Sequence, residues 1–191
     1  MPACQAARAT VDLVVASPLS RALDTADLAF PTAHTPKAQG RRECNEQVRE
    51  ILGFLVNGKR RKKSELALLY PHWGFDAVTD EEDALWEAWG DAQLEDSLST
   101  QERAHACLEW LWNREERDIA LVAHGGIFSL LTNDHSHVEC GPGVGARFAN
   151  CELRSCRLEL VPGDDRSTSD KVSTVKPAKR RFRLTLMDAV I

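Results

Sequence analysis

Residues 11–30 read VDLVVASPLSRALDTADLAF. Val11 to Ala16 is a nearly continuous apolar run rich in valine, which suits a strand buried on both faces of a sheet. Ser17-Pro18 ends it, since proline removes a ladder donor. Beyond the break, Leu19, Ala22, Leu23, Ala26 and Leu28 recur at helical spacing. The unit is therefore strand, tight turn, helix. A second unit of the same kind follows, with Asp118–Ala123 (DIALVA) as buried strand, His124-Gly125-Gly126 as turn and Ile127 to Leu131 as the start of a helix.

Pro31 and Pro36 mark a loop between these units. The apolar pattern weakens over Glu43–Leu55, which is expected to be a helix or turn ending near Gly53, ahead of the basic stretch GKRRKKSE at 58–65. An acidic segment, Asp80 to Glu95, carries Trp86 and Trp89, and a helix is predicted from about Thr100 to Asn113 with Ala104, Cys107, Leu108 and Leu111 on one face. Cys151 to Val161 (CELRSCRLELV) alternates like a last, half-exposed strand, and the chain beyond Pro162 is polar and basic. The expected organisation is one domain over 1–162 with a flexible tail over 163–191. Helical patterns alternating with buried strands argue for a three-layer α/β/α architecture.

The bulk numbers exclude several classes. With 191 residues, 43% of them hydrophobic, the chain can bury a real core. A formal net charge of -5 gives no general reason to expect a nucleic-acid partner, despite the basic runs GKRRKK and KPAKRRFR. No apolar run nears the roughly 20 residues a membrane span needs, and residues 1–10 lack a signal-peptide core, so an intracellular, cytoplasmic protein with no membrane partner is expected. The six cysteines form no C-x-x-C pair and stand at no metal-ligand spacing with the histidines; they read as free thiols, with no metal site.

In such sheets ligands sit at the C-terminal ends of the strands. Arg21, in the first turn of its helix, and His124, at a strand tip beside two glycines, would face the same rim. A guanidinium there suits a phosphate, whose oxygens it can bind in bidentate fashion. Arg21 could equally be a solvated helix residue, and His124 a satisfied loop histidine.

Ser17-Pro18-Leu19-Ser20-Arg21-Ala22-Leu23-Asp24-Thr25-Ala26 resembles the S-P-L-x-R-A-x-x-T-A signature of the histidine phosphatase (phosphoglycerate-mutase-like) superfamily, and Val122-Ala123-His124-Gly125-Gly126 resembles its distal histidine motif. Arg49-Glu50-Ile51-Leu52-Gly53 is similar to the family's R-E-x-x-G segment, and Phe148-Ala149-Asn150-Cys151-Glu152 to its late F-x-N-x-E strand. The resemblance covers roughly residues 3 to 160. It implies that Arg21 and His124 hold a phosphoryl group, that Glu50 protonates the leaving oxygen with Glu46 as the competing candidate, and that Arg60, Arg61 and Gly125 contact substrate. It implies no metal or organic cofactor. The partner would be a phosphorylated small molecule or a phosphoprotein.

One departure matters more than these matches. The family's nucleophile is a histidine in an Arg-His-Gly tripeptide after the first strand, and no such tripeptide occurs here: His34, His72, His105, His135 and His137 are followed by Thr, Trp, Ala, Ser and Val. Residues 1–7 (MPACQAA) resemble the tail of the helix that follows that strand. The expectation is a phosphoglycerate-mutase-like fold lacking its first strand, with unpaired backbone groups beside the gap. As a phosphomonoesterase it would be catalytically impaired; a non-catalytic phosphate-binding or interaction module is the alternative.

Overall fold

A computed structural model describes residues 11–34, 41–53, 56–90, 93–133, 137–145, 147–161 and 180–187. Four short parallel strands form the central sheet in the order β3-β2-β1-β4: β1 (Leu13–Ala16), β2 (Arg42–Asn45), β3 (Gly74–Ala77) and β4 (Ile119–Val122). All four β1 side chains are fully buried, as the valine-rich run requires of a strand covered on both faces.

Helices cover both faces. On one, α1 (Ser20–Ala29) and α2 (Lys63–Leu69) press Leu23, Ala26 and Leu66 against Val14, Ala16 and Ala120, with Trp73 and Phe75 completing the layer. On the other, α4 (Ser97–Trp112) and α5 (Gly125–Leu131) supply Ala104, Cys107, Leu108, Ile127 and Leu131. The short α3 (Ala84–Trp89) precedes α4. The architecture is mixed α/β, a parallel central sheet flanked by helices. Burial pushes the Cys107 thiol up to about 12 and raises that of Cys44 as well, so both behave as small apolar groups.

Leu121 and Ala123 pack into the same apolar cluster as a second sheet, ordered β5-β7-β6: β5 (Val138–Cys140), β6 (Cys156–Leu160) and β7 (Phe182–Leu186). Here the reading of 163–191 as a flexible tail is corrected over Phe182–Leu186. Phe182 is fully buried and β7 is the middle strand, parallel to β5 and antiparallel to β6. Its apolar residues alternate as Phe182, Leu184 and Leu186, and Arg180, Arg181 and Arg183 in and before the run hide that period. Arg181 and Arg183 pair with Glu139 on the neighbouring strand. Residues 162–179 and 188–191 lie outside the described residues, as do 1–10.

Two further expectations change. The helix or turn expected from Glu43 is in part β2, a strand whose polar residues are engaged by distant partners, with Arg42 and Asn45 buried and Glu43 half-buried. Arg42 donates to the Phe30 carbonyl and lies 5.5 Å from the centre of the Trp73 ring, and Glu43 accepts from Arg114 at 2.6 Å. Phe148–Glu152 is a turn rather than a strand, with Cys151 at φ 60° and the Glu152 carboxylate accepting from Ala149 N–H at 2.6 Å.

Strand β4 has one neighbour only among the described residues, β1. Its sequence is that of a central strand, yet Ile119, Leu121 and Val122 are only half-buried. No helix among the described residues is long and apolar enough to cross a membrane.

Candidate functional site

β1 and β4 run in register, Ala16 beside Val122, and Ser17 N–H donates to the Val122 carbonyl at 3.0 Å. Their two turns therefore emerge level. After the first, Leu19 leads into α1 and Arg21 stands in its opening turn. After the second, His124 holds an extended backbone (φ -129°, ψ 158°) before α5. Its Nε2 lies 2.9 Å from Ser17 Oγ.

His124 is only 8% exposed. Burial above all, then the positive charges of Arg21 and Arg49, push its pKa down to about 3, so the imidazole is neutral at neutral pH. Its link to Ser17 resembles a nucleophile and its base. Ser17, however, is fully buried and does not line the cleft, so the contact orients the ring. Partial burial also draws the Arg21 pKa down, against the pull of Glu50, and Arg21 remains a cation.

Glu50 arrives from an irregular stretch between the turns Glu46–Val48 and Val56–Gly58. Its Oε1 accepts from Ile51 N–H at 2.9 Å and Ile127 N–H at 3.2 Å, and its Oε2 from Gly126 N–H at 3.3 Å. The carboxylate thus sits on the first N–H groups of α5. A side chain at Gly126 would run into that carboxylate, whereas a Cβ at Gly125 would meet nothing within 4 Å. Arg21, Glu50, His124 and Gly125 line one cleft of about 640 Å³, with Asn57 and Asn150. Four residues singled out from three sequence segments far apart line one space.

The other sequence-predicted residues fare differently. Arg61 is exposed in an adjoining cavity of about 360 Å³ that shares Arg21 and Asn57 with the first and also holds Lys59. Arg60 touches this cavity, but its guanidinium is spent elsewhere. Its five N–H groups meet Glu46 at 3.0 Å and the carbonyls of Arg61, Asp80, Glu81 and Glu82 at 2.6–3.1 Å. That corrects its reading as a substrate contact: Arg60 has no donor left and ties the 80–82 loop to the cleft wall. Glu46 is engaged by Arg60 and by Arg49 at 2.6 Å, away from the cleft lining, which leaves Glu50 as the carboxylate that faces it.

Sequence reasoning missed the frame behind Glu50. Arg49 is fully buried, with both terminal nitrogens on Asp83, one also on Glu46 and the other on the Gly58 carbonyl at 2.5 Å. Burial alone would lower its pKa; hydrogen bonds to Asp83 and the Glu46 charge outweigh this and raise it. On the far side, Arg103 grips buried Glu95 with two 2.7 Å bonds and donates to the carbonyls of Gln47 and Arg49, while Glu95 accepts from Leu52 N–H. Asp83 lay in view within TDEEDALW, but nothing in that run says which acid turns inward. The carbonyl of Asn57, which accepts from Arg21 Nη1 at 2.5 Å, has no sequence signal at all. Among the described residues no three His, Cys, Asp or Glu side chains gather as metal ligands would.

Residues 3–163 match the family model of the histidine phosphatase superfamily (branch 1). Three Arabidopsis thaliana proteins are similar. Phosphoglycerate mutase-like protein 1 is 32% identical over 189 residues, covering 84% of this chain and 66% of its own length. A phosphoglycerate mutase-like protein is 28% identical, covering 70% and 49%, and phosphoglycerate mutase-like protein 2 is 33% identical, covering 53% and 31%. The chain therefore spans less than two thirds of each of these relatives. No solved structure matches it significantly.

Proposed function

Because this chain belongs to the histidine phosphatase superfamily, we propose that the cleft receives the phosphoryl group of a phosphomonoester, and that the 191-residue chain binds it without phosphohistidine turnover. The observation that carries the reading is the convergence of Arg21, Glu50 and His124 on one open space. Arg21 offers a fixed cation to the equatorial oxygens, and His124 a ring whose protonation an incoming dianion would favour. Glu50, its carboxylate resting on the Gly126 and Ile127 N–H groups, lines the same cleft, where a leaving oxygen would take a proton.

What these residues lack is a nucleophile. Without an Arg-His-Gly histidine, the remaining groups supply binding and charge stabilisation, and loss of a covalent nucleophile removes orders of magnitude of rate. Among the described residues β4 pairs only with β1, and its end leads into His124. Without that nucleophile the cleft serves as a docking site for a phosphorylated small molecule or phosphoprotein.

The test is hydrolysis of an aryl phosphate at pH 5.5 and pH 7, read beside calorimetric binding of inorganic phosphate, for the chain and for His124→Ala. Binding that the variant loses, with negligible turnover in both, is the expected result. Turnover that disappears in the variant would mean that another residue acts as nucleophile. Phosphate binding unaffected by the variant would remove the reading altogether.

A further inference from the structure

Asp83 opens α3, its carboxylate accepting from Trp86 N–H at 2.9 Å. A cap needs one oxygen and no charge; asparagine serves about as well as aspartate. Yet this carboxylate is buried, with 5% of the residue exposed, and it holds three further donors: the two terminal nitrogens of Arg49 in a bidentate pair, and the backbone N–H of Arg60 at 2.7 Å. Arg49 in turn holds the Gly58 carbonyl, and the carbonyl next to it, on Asn57, holds the Arg21 guanidinium. Arg49 is also the chain neighbour of Glu50.

We infer that Asp83 is a positioning residue for the cleft, acting through Arg49 to place Glu50 on one side and Arg21 on the other; this rests on the cleft being the phosphate site. The physical reason is charge. Arg49 is fully buried, and its second counterion, Glu46, is shared with Arg60. Removing the Asp83 charge leaves a buried guanidinium with half of one carboxylate. A buried cation in that position draws away toward water or toward other acceptors. The Gly58 and Asn57 carbonyls then lose the anchor that aims Arg21.

Asp83→Asn keeps the shape and the cap while removing the charge. Asp96→Asn is the matched control: Asp96 caps α4 through Ser99 N–H at 2.6 Å and engages no arginine among the described residues. Three readouts are taken for both variants and the unaltered chain: inorganic phosphate affinity by calorimetry, thermal midpoint, and a crystal structure of Asp83→Asn. The expected result is phosphate affinity ~10-fold weaker in Asp83→Asn and within ~2-fold of the unaltered chain in Asp96→Asn, the size of one charge-assisted contact. The Arg21–Asn57 hydrogen bond should be gone from the crystal structure. Unchanged affinity in Asp83→Asn, or equal weakening in both variants in step with the thermal midpoint, would reduce Asp83 to a structural cap. Should phosphate binding prove independent of His124, the phosphate-site reading falls by itself, and an intact Arg21–Asn57 bond in the variant would then overturn the positioning role on its own.

Discussion

The wall of the cleft that carries Arg21 and His124 is built from regular units: a parallel strand, a turn of two or three residues, and a helix, twice over and in register. The wall that carries Glu50 has no such support. Between Arg49 and Gly53 the chain is neither helix nor strand, and it is held by two buried ion-pair hubs, Arg49 with Asp83 and Glu46, and Arg103 with Glu95. In the first wall backbone geometry aims the side chains. In the second, side chains aim the backbone. The two walls should therefore fail differently: the irregular one through loss of a single charge, the regular one only through its apolar packing.

The largest effect is expected where one charge holds most. Arg49→Met should lower stability by about 3–5 kcal/mol, because Asp83 is left buried with only its backbone partners. Arg21→Ala, on the regular wall, should stay within about 0.5 kcal/mol, since Arg21 is exposed and α1 is held by Leu23 and Ala26 beneath it. Urea unfolding of the two variants checks the contrast. Equal losses would mean that the two walls are built alike.

A second difference appears on acidification. His124 is neutral in the folded cleft and its pKa is depressed to about 3, whereas the unfolded chain protonates near 6.5. The unfolded state thus binds the extra proton first, so the stability His124 allows is complete above pH 6.5 and is lost as pH falls toward 3. Between pH 7 and pH 4 the gap in unfolding free energy between the unaltered chain and His124→Ala should narrow by up to about 3 kcal/mol. A gap constant over that range would show that the imidazole is not desolvated. Phosphate, which favours the protonated ring, should be bound with proton uptake near neutral pH, measurable as a buffer-dependent binding enthalpy.

The two glycines of the second turn sharpen the comparison further. Alanine at either position should cost little stability, since alanine is the better helix former by about 1 kcal/mol in a helix interior. At Gly126 the new Cβ must displace the flexible end of Glu50, and at Gly125 it projects into open space. Gly126→Ala should therefore cut phosphate affinity ~10-fold by moving the irregular wall, about 1.4 kcal/mol. Gly125→Ala reads only what a ligand itself requires of that space.

How much was legible follows the same division. The strand-turn-helix units were readable because burial imposes periods of 2 and 3.6, and Arg21, His124 and Gly125 came with them. Glu50 was readable only through resemblance, since Glu46 four residues earlier offered the same chemistry; what separates them is that two arginines occupy Glu46. Strand β2 was missed because RECN looks like a surface segment until Asp27, Phe30 and Arg114 are folded against it. Strand β7 was missed for a related reason, the basic run Lys179–Arg181 ahead of it and Arg183 within it outweighing the alternation. The misreading of Arg60 has the same origin: a run of cations does not tell which of them a carbonyl cage will consume.

The smallest expected effect lies where the two regular units meet. Ser17→Ala removes the hydroxyl that lies 2.9 Å from His124 Nε2 and 3.4 Å from Leu19 N–H, in a site with no exposure. The loss should be about 1 kcal/mol, the net worth of one buried neutral hydrogen bond, because the methyl group that remains fills most of the space. Its functional consequence should be equally modest, for α5 and the β4 backbone still place the ring and only its tilt and tautomer are freed. Nitrogen chemical shifts of the His124 imidazole separate the outcomes. A tautomer that becomes mixed in Ser17→Ala, with phosphate affinity lowered ~2–3-fold by about 0.5 kcal/mol, would mean that backbone geometry does most of the aiming on this wall. A loss as large as that of Gly126→Ala would mean that the regular wall, too, depends on a side-chain tether.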